Sequence, residues 1–125
     1  MKLCISSTGE NLKATVDQRF GRCPYFLIVD TLNMNIKTLS NQALLSSGGA
    51  GIQAAQNIIK EAVDAVITGN IGPNAIQILQ AEHIKIYTQA SGTIEDVIEN
   101  YKNGKLQQTN KATVQSHAGL GGKTQ

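Results

Sequence analysis

Cysteine, histidine and aromatic residues are scarce in this sequence. Its 125 residues include two cysteines, two histidines, two Phe, three Tyr and no tryptophan. Iron–sulfur clusters usually take four cysteine thiolates, often in C-x₂-C pairs, so one copy of the chain cannot build such a cluster alone. We expect Cys4 and Cys23 to be free thiols, as in a reducing compartment.

Long apolar runs are also missing. No stretch approaches the roughly 18 apolar residues of a transmembrane helix, and "MKLCISSTGE" lacks the apolar region of a signal peptide. The 11 basic and 9 acidic residues give a net charge of +2, and the basic residues are scattered along the chain. We therefore expect a cytoplasmic protein with no membrane and no nucleic-acid partner.

The residues that are present predict one globular domain, with 41% hydrophobic and 16% charged residues. "YFLIVDT" is typical of a strand buried on both faces. Thr93 with Asp96 resembles a capping box at the start of the last helix, and Gly104 ends that helix. Apolar periodicity predicts strands at 2–7, 25–31, 36–42, 64–69 and 84–89, a further short edge strand at 105–110, and helices at 51–63, 72–83 and 93–104.

This order of elements predicts an α/β fold with three α/β/α layers. The simplest arrangement is a mixed five-stranded sheet of order 3-2-1-4-5, with strand 2 antiparallel to the rest, which is the ribonuclease H-like motif. The domain is expected to span residues 1–110. The polar, glycine-rich residues 111–125 are expected to form a flexible tail.

The octet "RFGRCPYF" precedes strand 2 and contains two arginines and a cysteine. Because strand 2 is antiparallel, its start lies at the carboxyl ends of the parallel strands, where open α/β sheets bind ligands. Arg19 and Arg22 are expected to lower the pKa of Cys23 and favour its thiolate. Cys23 is therefore a candidate ligand, whereas Cys4 is expected to pack as a small apolar residue in strand 1.

Two glycine-rich loops, "SSGGAG" (46–51) and "TGNIGPN" (68–74), precede helices. A helix N-terminus offers unpaired N–H groups and a partial positive charge, which suit an anion. The backbone groups of Gly48, Gly49 and Asn70 are candidate donors to such an anion. The alternative interpretation is that both loops are tight turns that need glycine.

The C-terminal segment "HAGLGGKTQ" ends like a phosphate-binding P-loop. That motif needs a glycine five residues before Gly122, but the residue there is His117, and no helix follows. We predict no nucleotide site in this segment. It is either a glycine-rich disordered tail or a flexible arm that brings His117 over a bound ligand.

Two classes of enzyme are disfavoured. A two-metal nuclease needs carboxylates that converge on the central strands. The first strand, "KLCISS", has no carboxylate. Asp30 ends the second strand and Asp64 precedes the fourth, so these two side chains are not expected to converge. A thiol enzyme needs a positioned base, and His83 is expected at the surface, at the end of a helix. We predict no enzymatic activity, with a thiol-dependent enzyme as the less favoured alternative.

Four segments in register resemble one family: "DQRFGRCPYFLIVD", "GGAGIQAAQ", "VITGNIGPNAIQIL" and "SGTIEDVIENYKNGKL". Over about residues 2–110 the chain resembles the dinitrogenase iron–molybdenum cofactor biosynthesis family, the NifX-like domain also found at the C-terminus of NifB-type proteins. The resemblance implies a ribonuclease H-like fold. It also implies binding and transfer of iron–molybdenum cofactor or its iron–sulfur precursors. A related member, the orange protein of sulfate reducers, carries a molybdenum–copper sulfide cluster.

One position departs from the nitrogenase-linked members of this family. They tend to have His-Phe-Gly where this chain has Arg19-Phe20-Gly21. An imidazole can ligate a metal, but arginine stays protonated and has no lone pair to donate. The resemblance therefore leaves the identity of the metal open.

The residues and the resemblance together predict a binding or carrier protein for an anionic cluster or its precursor. The cargo would be an iron–sulfur or molybdenum-containing sulfide cluster, bound transiently. We expect cluster-assembly proteins as partners, and a monomer or weak homodimer. The alternative is a cofactor-free interaction or chaperone module in cluster assembly. The expected binding residues are Arg19, Arg22, Cys23, Gly48, Gly49 and Asn70, and the expected metal ligands are Cys23 and His117.

Overall fold

The computed structural model describes residues 1–45 and 48–114 and shows one sheet with helices on both faces. Within these residues, no helix is both long enough and apolar enough to cross a membrane. The strands are β1 (Lys2–Ser7), β2 (Tyr25–Asp30), β3 (Ile36–Ser40), β4 (Ala65–Ile67), β5 (Lys85–Thr88) and β6 (Gln107–Gln108). The α-helices are α1 (Ala50–Ile59), α2 (Pro73–Ala81) and α3 (Ile94–Lys102), and a 3₁₀ helix spans Gln42–Leu45.

The sheet has the order β3-β2-β1-β4-β5-β6. β1, β4 and β5 run parallel, and β2 runs antiparallel to β1, with Tyr25 opposite Ser7. The predicted order of the first five strands is confirmed, but the predicted count of five becomes six. The sixth strand, Gln107–Gln108, pairs antiparallel with β5. It lies within the short edge strand predicted at residues 105–110, and it is only two exposed polar residues long.

The alternation of side chains along β1 separates two hydrophobic cores. Cys4 faces the core beneath α1 and α2, whereas Leu3 and Ile5 face the core beneath α3. A fully buried Leu or Ile side chain contributes about 1.5–3 kcal/mol, so Leu3 and Ile5 stabilise the packing of α3 on the sheet. Cys4 packs as the small apolar residue that was predicted, and burial raises the pKa of its thiol well above the ordinary value.

All three helices follow loops at the carboxyl edge of the parallel strands, but their starts differ. The hydroxyl of Thr93 accepts a hydrogen bond from the Asp96 N–H at 3.1 Å and caps α3 as predicted. Pro73 is the first residue of α2, also as predicted, after Gly72 at the N-cap. Gly49 precedes α1. Because α1 and α2 begin after glycines, their N-cap residues supply no side-chain acceptor for the first N–H groups.

Candidate functional site

Three backbone segments meet at the carboxyl edge of the sheet. We call residues 17–23 the arginine loop and residues 68–72 the glycine loop; the third segment is the start of α1. Arg19 and Asn70 form a parallel β-bridge. The Phe20 N–H donates to the Asn70 carbonyl at 3.2 Å, and the Asn70 N–H donates to the Gln18 carbonyl at 2.8 Å. The structure thus brings together the octet and the second glycine-rich segment, as the sheet order predicted.

Two glycines allow this close approach. A Cβ on Gly21 would lie 2.8 Å from the Gly51 nitrogen and 2.9 Å from its Cα, at the start of α1. A Cβ on Gly69 would lie 2.6 Å from the Cα of Gln18. Both neighbours are backbone atoms that cannot turn aside. Only residues without a side chain fit here, so the arginine loop packs directly on both helix-forming loops.

Arg19 is held by a buried carboxylate. The Asp17 side chain is 6% exposed and that of Arg19 is 64% exposed. Asp17 Oδ1 accepts from the Arg19 backbone N–H at 2.9 Å and from Nε at 3.3 Å, and Oδ2 accepts from Nη2 at 3.3 Å. The hydrogen bond to Asp17 and the charge of its carboxylate raise the pKa of Arg19. Arg19 is therefore a cation held by Asp17, and its side chain remains largely exposed.

Sequence reasoning missed Asp17 as a site residue. The signal was its position two residues before Arg19, since an Asp side chain readily bonds the backbone N–H two residues on. Arg22 was predicted to be a binding residue, and its side chain is half-buried in the same loop. Its Nη1 donates to the carbonyl of Leu44 at 3.4 Å, so Arg22 also ties the arginine loop to the 3₁₀ helix.

Cys23 is fully buried at the end of the arginine loop. Its Sγ donates to the Phe20 carbonyl at 3.3 Å. Burial, aided by the negative charge of Asp17, raises the pKa of Cys23 to about 12, although Arg19 acts in the opposite direction. The expectation that this pKa is lowered is wrong. The free-energy cost of removing the thiolate from water exceeds the electrostatic stabilisation that Arg19 gives it. The thiol is neutral in this conformation.

Asn41 is a second residue that sequence reasoning missed. Its Nδ2 donates to the carbonyls of Gly21 at 3.1 Å and Cys23 at 2.8 Å, and its Oδ1 accepts from the Ala43 N–H at 3.1 Å. The same Nδ2 lies 3.9 Å from the Cys23 sulfur. The available signal was an asparagine between a strand and "QALL", where Asn favours a turn. Asn41 fixes the shape of the arginine loop.

The predicted backbone donors differ in their availability. Gly48 and Gly49 are exposed, and a Cβ on either would meet nothing within 4 Å. The backbone N–H of Asn70 is already donated to Gln18, so the expectation that it donates to a ligand is wrong. Its side-chain Oδ1 accepts from Gln89 Nε2 at 3.4 Å. His117 and residues 46–47 of the first glycine-rich segment lie outside the described residues.

The chemistry of this edge suits an anion better than a bare metal ion. Within residues 1–45 and 48–114, no three His, Cys, Asp or Glu side chains form a group that could hold a metal ion. Arg19 presents a positive charge, and the start of α1 adds the partial charge of its dipole. Asp17 offsets part of the charge of Arg19, but the exposed guanidinium and the start of α1 still offer N–H donors to an anion, and they offer no lone pair to a metal cation.

The fold and this edge define a small three-layer α/β protein with a fixed cation beside two helix starts. The family model described as dinitrogenase iron–molybdenum cofactor matches residues 1–104, so the chain belongs to that family. The family is one of cofactor biosynthesis and binding, and its members are accessory or carrier proteins rather than catalysts.

Individual relatives agree with this assignment. An uncharacterized protein of Methanocaldococcus jannaschii is 34% identical over 91 residues, which is 70% of this chain and 77% of that protein. The apo form of the orange protein from Desulfovibrio gigas superposes with a TM-score of 0.87 at 32% identity, covering 90% of this chain and 95% of that one. A putative NifB protein from Thermotoga gives 0.79 at 30% identity, with 90% and 96% covered. The resemblance and the predicted fold are thereby confirmed.

Proposed function

We propose that this protein binds an anionic metal–sulfur cluster, or a precursor of one, and carries it during metallocofactor assembly in the cytoplasm. Membership of the iron–molybdenum cofactor family supports the class of cargo. The observation that carries the proposal is the bridge between Arg19 and Asn70. It places a fixed cation beside loops that lead into two helices, where anions are stabilised.

The cargo would be held mainly by charge. A guanidinium has five N–H donors, and Asp17 accepts from Nε and Nη2 of Arg19. The remaining donors can contact an anion, together with exposed backbone at Gly48 and Gly49. Exposed charged contacts are individually weak, at about 0–1 kcal/mol. A cluster held in this way can be passed on, as a carrier requires.

Metal ligation requires more than the described conformation provides. We propose Cys23 as one ligand. The hydrogen bond from its sulfur to Phe20 must break and the thiol must lose its proton before it can bind metal, so the turn at residues 20–23 must open. The anionic cargo would first bind beside Arg19, and Cys23 would then ligate its metal. We propose His117 as the other ligand, since the imidazole nitrogen is a good donor to these metals.

Anaerobic reconstitution with iron, sulfide and molybdate tests the function. We expect stoichiometric bound metal and visible absorption after gel filtration, with less of both in Arg19→Gln and in Cys23→Ala. A wild-type chain that gains neither would overturn the proposal. If Cys23→Ala retains as much metal as wild type, Cys23 is not a ligand, and binding rests on Arg19 and the other proposed contacts.

A cofactor-free interaction module is the second candidate, and an exposed apolar group favours it. Met1, Leu32, Met34 and Ile36 are all exposed, and Leu32 is 88% exposed. The Thr31 N–H bonds the Met1 carbonyl at 2.9 Å, so this group lies at the amino end of β1, opposite the arginine loop. Metal-free protein recovered from the native cell with a stable cluster-assembly partner would favour this candidate.

A further inference from the structure

A further backbone segment joins the candidate site on the other side of the glycine loop. It is the chain that follows β5, where the Gln89 N–H donates to the Gly69 carbonyl at 2.8 Å. The glycine loop therefore lies between this segment and the arginine loop, to which it is joined by the bridge between Arg19 and Asn70. The side chains of Arg19, Asn70 and Gln89 thus come from three neighbouring segments at the carboxyl edge of the sheet.

The backbone of Gln89 is strained, with a positive φ of 64°. A residue other than glycine has a steric cost in this conformation, because its Cβ comes close to the following carbonyl oxygen. Such strain persists only where the surrounding structure fixes it, and it clusters at functional sites. Of the described residues other than glycine with a positive φ, Gln89 alone lies at the carboxyl edge; the set is Met34, Ala62, His83 and Gln89.

The side chain of Gln89 determines which end of the Asn70 amide is available. Nε2 of Gln89 donates to Oδ1 of Asn70 at 3.4 Å. Among residues 1–45 and 48–114, no group accepts a hydrogen bond from Nδ2 of Asn70. Because its oxygen is engaged, this half-buried amide offers the two N–H donors of Nδ2. Those donors suit an anion, whereas the amide oxygen would repel one.

Arg19 is held in a comparable way. Asp17 accepts from Nε and Nη2 of Arg19, as Asn70 accepts from Gln89. Residues that are paired in a bridge direct their side chains to the same side, and their backbones lie about 5 Å apart. Arg19 and Asn70 are paired in this way, so two donor groups lie side by side, each with a neighbouring side chain that restricts its orientation.

We infer that Arg19 and Asn70 form a paired donor site for an anion that presents at least two oxygen or sulfur acceptors, and that Gln89 is the positioning residue for the Asn70 amide. This inference deepens the proposed carrier function and rests on it, since the anion would be the cargo. Hydrogen bonds to a charged group are stronger than those between neutral groups. The amide of Asn70 would therefore add to the affinity that Arg19 provides.

The test is titration of the full chain with the cluster assembled from iron, sulfide and molybdate. We expect Asn70→Ala to bind the cluster about tenfold more weakly than wild type, because a hydrogen bond to a charged group is lost. Gln89→Gly should weaken binding less, by about threefold, because an amide that can turn must lose rotational freedom on binding. The double variant should bind no more weakly than Asn70→Ala, because Gln89 acts through Asn70. Effects of the two changes that multiply would overturn the positioning role.

Gln89→Gly also separates positioning from a purely structural role. Glycine adopts a φ of 64° without the steric cost, so the free energy of unfolding should not fall although the affinity does. His83→Gly is the matched control, since it replaces another exposed residue with a positive φ, 61°, at the end of α2 away from the site. It should bind the cluster as wild type does. The role of Gln89 is wrong if Gln89→Gly binds as tightly as wild type, or if its loss of affinity is matched by a loss of stability.

Failure of the inference and failure of the function give different results. If wild type binds the cluster and Asn70→Ala binds it equally well, the carrier function stands and the paired site is wrong. If wild type binds no cluster, the carrier function fails, and the paired site fails with it.

A second variant covers the case in which urea denaturation shows that Asn70→Ala does not fold. Asn70→Asp keeps the shape of the side chain and an acceptor for Gln89, but it replaces the Nδ2 donor with an oxygen. It should bind the cluster at least about tenfold more weakly than wild type. Wild-type affinity in Asn70→Asp would overturn the paired site.

Discussion

Cys23 is a neutral thiol because of what surrounds it. Its pKa is raised from 9.0 to about 12, so its burial in the neutral form stabilises the fold fully below pH 9. That contribution is lost as the pH rises from 9 to 12. We expect the free energy of unfolding of the metal-free wild type to fall more steeply over this range than that of Cys23→Ala. Urea unfolding at several pH values measures the difference.

Cys4 is present in both proteins of that comparison, so its own ionisation does not distinguish them. Parallel curves for wild type and Cys23→Ala would show that Cys23 does not ionise within this range. The same burial predicts slow alkylation of Cys23 at pH 8 in a Cys4→Ala chain, with fast alkylation after denaturation. Fast alkylation of the folded chain would contradict the burial of this thiol.

Gly21 permits the contact between the arginine loop and α1, and a methyl group there has no room. We expect Gly21→Ala to lower the free energy of unfolding by about 1–3 kcal/mol, because the new Cβ meets backbone atoms of Gly51. Gly48→Ala is the matched control, since a Cβ there meets nothing within 4 Å. Urea denaturation of both variants measures the effect. Equal stability of the two variants would contradict the packing described at Gly21.

At the scale of elements, the start of α3 depends on one hydroxyl. We expect Thr93→Ala to destabilise the protein by about 1 kcal/mol, because the Asp96 N–H loses its acceptor. Thr93→Ser keeps an acceptor in the same place and should retain most of the stability. The measurement is the free energy of unfolding in urea. A loss in Thr93→Ser as large as that in Thr93→Ala would show that the hydroxyl is not the cap.

The boundaries of elements were harder to predict than their existence. The amphipathic pattern identified α1, but the helix ends at Ile59 rather than at residue 63. Ala62 adopts a positive φ of 55° just beyond it, which sequence periodicity does not reveal. Strand β3 ends at Ser40 rather than at residue 42. There Asn41 turns the chain by bonding the arginine loop, a tertiary contact that local pattern cannot show.

At the scale of the whole molecule, topology predicted where the site residues meet. The antiparallel direction of β2 was enough to place the octet beside the glycine loop, and the Arg19–Asn70 bridge is the result. The state of Cys23 was not predictable in the same way. The charge of Arg19 is visible in the sequence, but the desolvation that outweighs it depends on how the folded chain packs around the sulfur.

The molecule as a whole carries a net charge of only +2, so cargo binding should depend on where charge lies. We expect Arg19→Gln to weaken binding of the cluster assembled from iron, sulfide and molybdate by about tenfold and to reduce its salt dependence. Lys105→Gln removes the same charge from an exposed residue after α3 and should change neither. Arg19→Lys keeps the positive charge and should bind the cluster more tightly than Arg19→Gln. This comparison separates the effect of charge from the effect of losing the guanidinium contact with Asp17. Titration of each variant with the cluster at low and high salt measures the affinity and its salt dependence. Equal weakening by Arg19→Gln and Lys105→Gln would mean that net charge, rather than the arginine loop, attracts the cargo.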